Sequence, residues 1–173
     1  MHTFFRTQAR PWSTWSAVLG LALLLSACDP RHIGKLEPGV STEADVRERF
    51  GAPEAIWDGP DGAQIFEYNH QPGGYQNYMI TIAADGSMSA RHQVLTAHNF
   101  ARIKPGMSME EVRRMLGKPK AILRFDLKRE LHYDWRYRDG PNESDSRVFT
   151  VVFDHDLRVA STHSVRDPAL ERN

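Results

Sequence analysis

The chain has 173 residues, in which 22 Lys and Arg balance 22 Asp and Glu, and it holds one cysteine. That balance gives no basic excess for nucleic acid, and a lone cysteine excludes an intrachain disulfide. With 40% hydrophobic and 25% charged residues, the length suits one globular domain or two small ones.

Residues 1–27 read as a signal peptide outside the fold. Arg6 and Arg10 give a positive start, Ala17 to Leu25 an uncharged apolar run, and Ser26-Ala27 small residues before Cys28. The run is too short to span a bilayer comfortably. Leu25-Ser-Ala-Cys28 resembles the lipobox of bacterial lipoproteins, which implies cleavage before Cys28 and acylation of its sulfur and then its amine. One acyl chain anchors only marginally, at ~0.8 kcal/mol per buried CH₂, whereas three make detachment negligible. Residues 28–30 form a short tether, so the body is expected to stand close to the membrane. Asp29 leaves the leaflet open, since Asp after the acylated Cys implies inner-membrane retention in only some lineages. Removing residues 1–27 takes away two arginines and no acid, leaving a net charge of about −2.

Pro38-Gly-Val-Ser-Thr-Glu-Ala-Asp-Val-Arg-Glu-Arg-Phe-Gly-Ala-Pro53 returns later as Pro105-Gly-Met-Ser-Met-Glu-Glu-Val-Arg-Arg-Met-Leu-Gly-Lys-Pro119. Each copy predicts one short helix. Thr42 with Asp45, and Ser108 with Glu111, have capping-box spacing, in which hydroxyl and carboxylate each take an orphan N–H. Val46 and Phe50 match Val112 and Leu116 as an apolar stripe. Gly51 and Gly117 suit a left-handed C-terminal residue, and Pro53 and Pro119 prevent the helix from resuming.

The likeness continues into alternating segments that predict strands. Phe66-Glu-Tyr68-Asn-His70 aligns with Tyr133-Asp-Trp135-Arg-Tyr137; Tyr78, Ile80 and Ile82 align with Phe149, Val151 and Phe153. Shorter strand signals lie at Glu54–Trp57 and Gln64–His70. Asp85-Gly86 and Asp154-His155-Asp156 mark the turns before the last strands. A helix of about three turns cannot bury its own stripe, so it must lie across its sheet. The expected architecture is α+β: two tandem repeats, each two short helices on a three- to four-stranded antiparallel sheet. They are placed at residues 31–95 and 96–166, followed by a flexible polar tail at 167–173. The join from Leu95 to Ile103 reads as the opening helix of the second repeat, and His32 to Leu36 as a weaker opener of the first.

The motif around Pro105–Pro119, with Trp135 and Tyr137 on the next strand and Val-Phe-Thr-Val-Val-Phe-Asp154 with Asp156 after it, resembles the SmpA/OmlA/BamE family of lipoproteins. The resemblance implies a small helix-over-sheet fold like the repeats of β-lactamase inhibitor protein. It also implies a role in outer-membrane protein assembly through protein partners, and a lipid anchor facing the periplasm, at the outer rather than the inner membrane. BamE itself has one such unit, whereas this chain shows two.

For catalysis the sequence offers little. Among eight histidines there is no His-Glu-x-x-His, no nucleophile elbow and no phosphate loop, so no enzyme, cofactor or metal site is expected. Asp154-His155-Asp156 has ligand-like spacing but reads better as a turn, and Asp58 and Asp61 lie in a glycine-rich turn. Binding is the expected role. Trp57, Tyr68, Tyr75, Tyr78, Trp135 and Tyr137 are candidate partner-binding aromatics. Arg113 and Arg114, with Lys118 and Lys120, form a local basic area that reads as a solvated helix face or as a contact for an acidic partner or anionic headgroups. The preferred function is an accessory or scaffold lipoprotein of outer-membrane assembly or envelope integrity; the alternative is a periplasmic inhibitor or ligand-binding module.

Overall fold

In the computed structural model, residues 36–171 are described; the signal segment, Cys28, the tether and most of the expected opener at 32–36 lie outside them. The chain runs α1 (Glu43–Phe50), β1 (Ala55–Asp58), β2 (Gln64–Asn69), β3 (Asn77–Ile82) and β4 (Met88–Gln93). It continues through α2 (Ala97–Arg102), α3 (Met109–Leu116), β5 (Ala121–Phe125), β6 (Glu130–Arg138), β7 (Ser146–Phe153) and β8 (Val159–Arg166). The strands form two antiparallel sheets, β1-β2-β3-β4 and β5-β6-β7-β8, each in sequence order. The fold is thus α+β with two four-stranded meanders. Among the described residues, only the second half has two helices before its sheet; the first has α1 alone.

Both capping boxes form. The Thr42 and Ser108 hydroxyls accept from the N–H of Asp45 and Glu111, whose carboxylates accept from the cap N–H groups in return. The extra residue between Gly39 and Thr42 leaves the helix itself unchanged. Gly51 and Gly117 close the helices at φ 80° and 75°, a region that glycine alone enters cheaply. The halves agree in finer detail. Tyr68 Oη donates to the Gly51 carbonyl at 3.1 Å, and Trp135 Nε1 to the Gly117 carbonyl at 3.0 Å. The N-cap regions pair with the last strands through Thr42–Ser87 and Ser108–Arg158 bridges. Register shifts fall at Thr81/Ile82 and at Val152/Phe153.

Strand alternation sorts side chains between faces. On sheet 1, Phe66, Tyr68, Ile80, Ile82 and Met88 face Val46 of α1 and form one core. On sheet 2, Tyr133, Trp135, Tyr137, Phe149, Val151 and Phe153 face Phe100, Val112 and Leu116 and form the other. This second core also takes in Met79 and, at its margin, Ile65, both from the opposite face of sheet 1. α3 therefore lies between the two sheets, and residues from Leu36 onward form one compact unit. Each fully buried large apolar side chain, such as Phe66, Trp135 or Phe153, contributes about 1.5–3 kcal/mol.

β5, which no sequence expectation covers, forms a full edge strand. Two expectations are corrected. Arg113 is not on a solvated face: it reaches sheet 1. The chain is not free from Asp167 onward, because that residue is 1% exposed and pairs with Arg136 and the Ser146 hydroxyl.

Candidate protein-binding surface

The residues where the halves meet are polar and specific. Glu67 projects from β2 toward α3 and is fully buried. Its carboxylate accepts from Arg113 Nη1 at 2.5 Å, from the Lys118 N–H at 2.8 Å and from Trp57 Nε1 at 3.2 Å. A buried carboxylate is tolerable only when paired and hydrogen-bonded in this way. Asn77 adds two donations, to the Leu116 and Lys118 carbonyls at the end of α3. Arg114 stacks over the Trp57 ring at 5.0 Å and Lys118 Nζ meets Glu54 at 2.5 Å. Beside this contact, a cleft of about 500 Å³ is lined by Ile65, Met79, His92, His98, Arg102 and Met115.

These positions account for most of the aromatic and basic candidates. Tyr68, Trp135 and Tyr137 are buried, the first two hydrogen-bonded to helix C-caps, while Tyr137 packs edge-on against Phe100 and its hydroxyl is hydrogen-bonded to that of Ser164. Tyr78 is half-buried against Phe50 and His70. Trp57 lies under Arg114. Tyr75 sits beneath the Arg136 and Arg138 guanidiniums, with its hydroxyl donating to Glu143 at 2.7 Å. That hydroxyl, with Arg138 beside it, holds the Glu143 carboxyl below the usual carboxylate range. Arg113 is engaged by Glu67, and Arg114 also pairs with Glu110 at 3.0 Å on its exposed side.

The exposed apolar surface is elsewhere. Ile122, Leu123 and Phe125 of β5 are 55, 46 and 39% exposed, and Leu127 in the following turn is fully so. Leu157 in the β7–β8 turn and Val165 on β8, at the opposite edge of the sheet, are also exposed. An edge strand with this much free apolar area is an unusual liability unless something uses it. The sequence signal that could have found it is the absence of polar alternation in Ala121-Ile-Leu-Arg-Phe125.

Asp154, His155 and Asp156 bring ligand atoms within 4.8 Å of one another, the metal-like group among the described residues. Asp154 is already occupied, accepting from the N–H groups of Asp156 and Arg158 at 2.9 and 3.0 Å. The Arg158 and Asp156 N–H groups and the nearby His155 and Arg158 charges keep its carboxyl below the usual range. The segment builds the β7–β8 turn, with Leu157 at φ 57° in the place of Gly86. A polar cleft of about 260 Å³ lies beside it, lined by Arg124, Asp126, Arg129, Glu130, Asp154 and His155.

Helix-over-meander architecture, closed by a glycine C-cap bonded to a strand aromatic, defines a class of small α+β modules. Residues 93–163, which hold α2, α3 and most of sheet 2, match the family model of the outer membrane protein assembly factor BamE domain. Among solved structures, the chain is similar to a putative osmotically inducible lipoprotein OsmE, at 20% identity over 46% of this chain and 81% of that one, with a TM-score of 0.36. It is similar to the DUF4309 family protein YjgB of Bacillus subtilis, at 19% identity over 78% of this chain and 84% of that one, TM-score 0.30. A putative β-lactamase inhibitor protein of Streptococcus mutans is 13% identical over 72% of this chain and 82% of that one, TM-score 0.30. No curated protein matches the chain. Among the described residues, no helix is long and apolar enough to cross a membrane.

Proposed function

We propose that the chain is a non-catalytic envelope lipoprotein, anchored through acylated Cys28 on the periplasmic side of the outer membrane. There it acts as an accessory or scaffold in outer-membrane protein assembly. The observation that carries this reading is the BamE-domain match over residues 93–163, in a chain whose Leu25-Ser-Ala-Cys28 resembles a lipobox. The exposed apolar residues of β5 supply a surface for a protein partner, and the family suggests which partners to look for. Anchoring keeps that surface within a short tether of the membrane, which raises its effective concentration against membrane-bound partners.

The test is purification of the full-length chain from detergent-solubilised envelopes after crosslinking. Components of the outer-membrane assembly machinery are expected to co-purify, and Cys28→Ser is expected to abolish both the mass added at residue 28 and the co-purification. Recovery of a soluble periplasmic enzyme instead would replace this reading with an inhibitor role.

A further inference from the structure

Among the described residues, the two sheets end in four edge strands, β1, β4, β5 and β8, and three of them are protected. β1 is four residues long, and its Trp57 is held by Glu67 and Arg114. β4 presents Ser89, Arg91 and His92, and β8 a polar run from Ser161 to Ser164. Short length and polar or charged side chains are the usual protection of an edge against pairing with another strand. β5 has neither: Ile122, Leu123 and Phe125 are exposed, and Arg124 is its one charge. The free side of this five-residue strand offers unpaired backbone N–H and C=O groups, which another strand satisfies in order. Its flanks carry opposite charges, Lys120 before the strand and Asp126 after it. Among the described residues neither forms an ion pair, although the Lys120 charge reaches Asp167.

We propose that β5 pairs antiparallel with β5 of a second copy of this chain, about a two-fold axis through Leu123, so that the second sheets of the two copies join. Residues directly opposite in an antiparallel pair share a face. The register with β6 puts Ile122 and Arg124 on the face of Tyr133 and Leu131, and Leu123 and Phe125 on the face of His132 and Glu130. A two-fold pairing that respects these faces has one residue of β5 on its axis, and the charges choose among the three central ones. An axis through Ile122 sets Lys120 opposite Arg124 of the other copy. An axis through Arg124 sets that residue opposite itself. Like charges directly opposite are destabilising, and an axis through Leu123 avoids both conflicts. It sets Leu123 opposite itself, small Ala121 opposite Phe125, and Ile122 opposite Arg124, whose aliphatic stem lies along it. At both ends Lys120 then meets Asp126 of the other copy. The strand is thus complementary to itself in size and charge, which a two-fold interface between identical chains requires. Anchoring both copies to one membrane raises their effective concentration. The pairing rests on the reading of β5 as a protein-binding surface and names a second copy as its occupant.

The experiment expresses the full-length chain with Leu123→Cys, oxidises intact envelopes mildly and reads disulfide-linked dimer on non-reducing gels, with the wild-type chain giving the background from Cys28. Opposed Cα atoms of an antiparallel pair lie about 4.5–5.5 Å apart, within the reach of a disulfide. The two Leu127 positions would stand eight residues out of register, about 26 Å apart. Leu123→Cys is therefore expected to give roughly tenfold more reducible dimer than Leu127→Cys. Adding Asp126→Lys should cut that yield severalfold, and adding Lys120→Asp as well should restore it. Residues 120 and 126 are about 20 Å apart along one strand, so the rescue acts between copies. Thermal unfolding of each variant checks that the fold is kept, and Asp126→Lys carries the charge test alone if Lys120→Asp unfolds. No dimer above background from Leu123→Cys overturns the pairing, as do equal yields at 123 and 127, a disulfide to a different protein, or a yield indifferent to Asp126→Lys. Co-purification of assembly components from the same envelopes separates the two readings. Components without a dimer remove the pairing alone, and a dimer without components removes the assembly role alone.

Discussion

Glu67 in sheet 1 is fully buried and takes three donors, whereas Asp134, at the same position of sheet 2, takes one hydroxyl and stays partly exposed. The same strand position thus holds a fully buried, charge-paired carboxylate in one half and a partly exposed one in the other. The difference lies in the neighbouring element: after sheet 1 comes α3, which covers Glu67, whereas Asp167 in the described stretch after sheet 2 meets Arg136 and Ser146 and leaves Asp134 without an ion pair among the described residues. A repeated module thus differs from its copy less in its own residues than in its neighbour.

Replacing the two carboxylates is the sharpest way to break the comparison. Glu67→Ala leaves Arg113 and the Lys118 N–H buried without their acceptor, and is expected to cost about 3–5 kcal/mol, lowering Tm by about 10 °C. Asp134→Ala is expected to cost under about 1 kcal/mol in the isolated protein. Equal losses in thermal unfolding would mean that the two faces are energetically alike.

The aromatic-to-C-cap bonds come next. Trp135→Phe removes both volume and the donor to Gly117, for an expected loss of about 2 kcal/mol, while Tyr68→Phe removes only a hydroxyl, for about 1 kcal/mol. Denaturant midpoints at unchanged m-value would measure both.

Asp167 belongs to the second half alone. Burial raises its carboxyl pKa, but the Ala169 N–H, the Ser146 hydroxyl and Arg136 outweigh this and hold it below the usual range. A depressed folded-state value stabilises above the unfolded pKa, near ~4, and the stabilisation is lost as pH falls through the folded value. The Tm gap between the wild type and Asp167→Asn should therefore be open at pH 7 and narrow steadily as the pH is lowered below the usual carboxylate range. A gap that persists in acid would show that the carboxylate charge is not its source.

The smallest effects belong to the caps, which the halves share. Thr42→Ala and Ser108→Ala should each cost about 1 kcal/mol, and similarly, since both boxes have the same geometry. A much larger loss at Ser108 would show that α3, set between two sheets, transmits its fraying further than α1 does.

Local instructions were legible in the sequence: both capping boxes, the glycine stops, the prolines after them, the aromatic strands and the turns. Each is written within a few residues and needs no knowledge of distant chain. β5 was not legible, because Ala121-Ile-Leu-Arg-Phe125 does not alternate between apolar and polar residues. Nor was the burial of Glu67 or the engagement of Arg113, since Phe66-Glu67-Tyr68 shows only that glutamate points away from α1. The cover for that side is decided 46 residues later by Arg113. The aromatic candidates erred in the same direction: Tyr68 and Trp135 carry polar tips that pointed toward recognition but serve helix ends instead.

Because the lid over sheet 1 comes from α3, the N-terminal half is not a separable piece. A polypeptide ending near residue 95 would keep α1 and four strands but expose a bare glutamate and Met79 to solvent. During synthesis or export from the N-terminus, that side waits uncovered until Lys118 has emerged. Any chaperone that attends this protein would find its transient target there, on a surface that vanishes once the chain is complete.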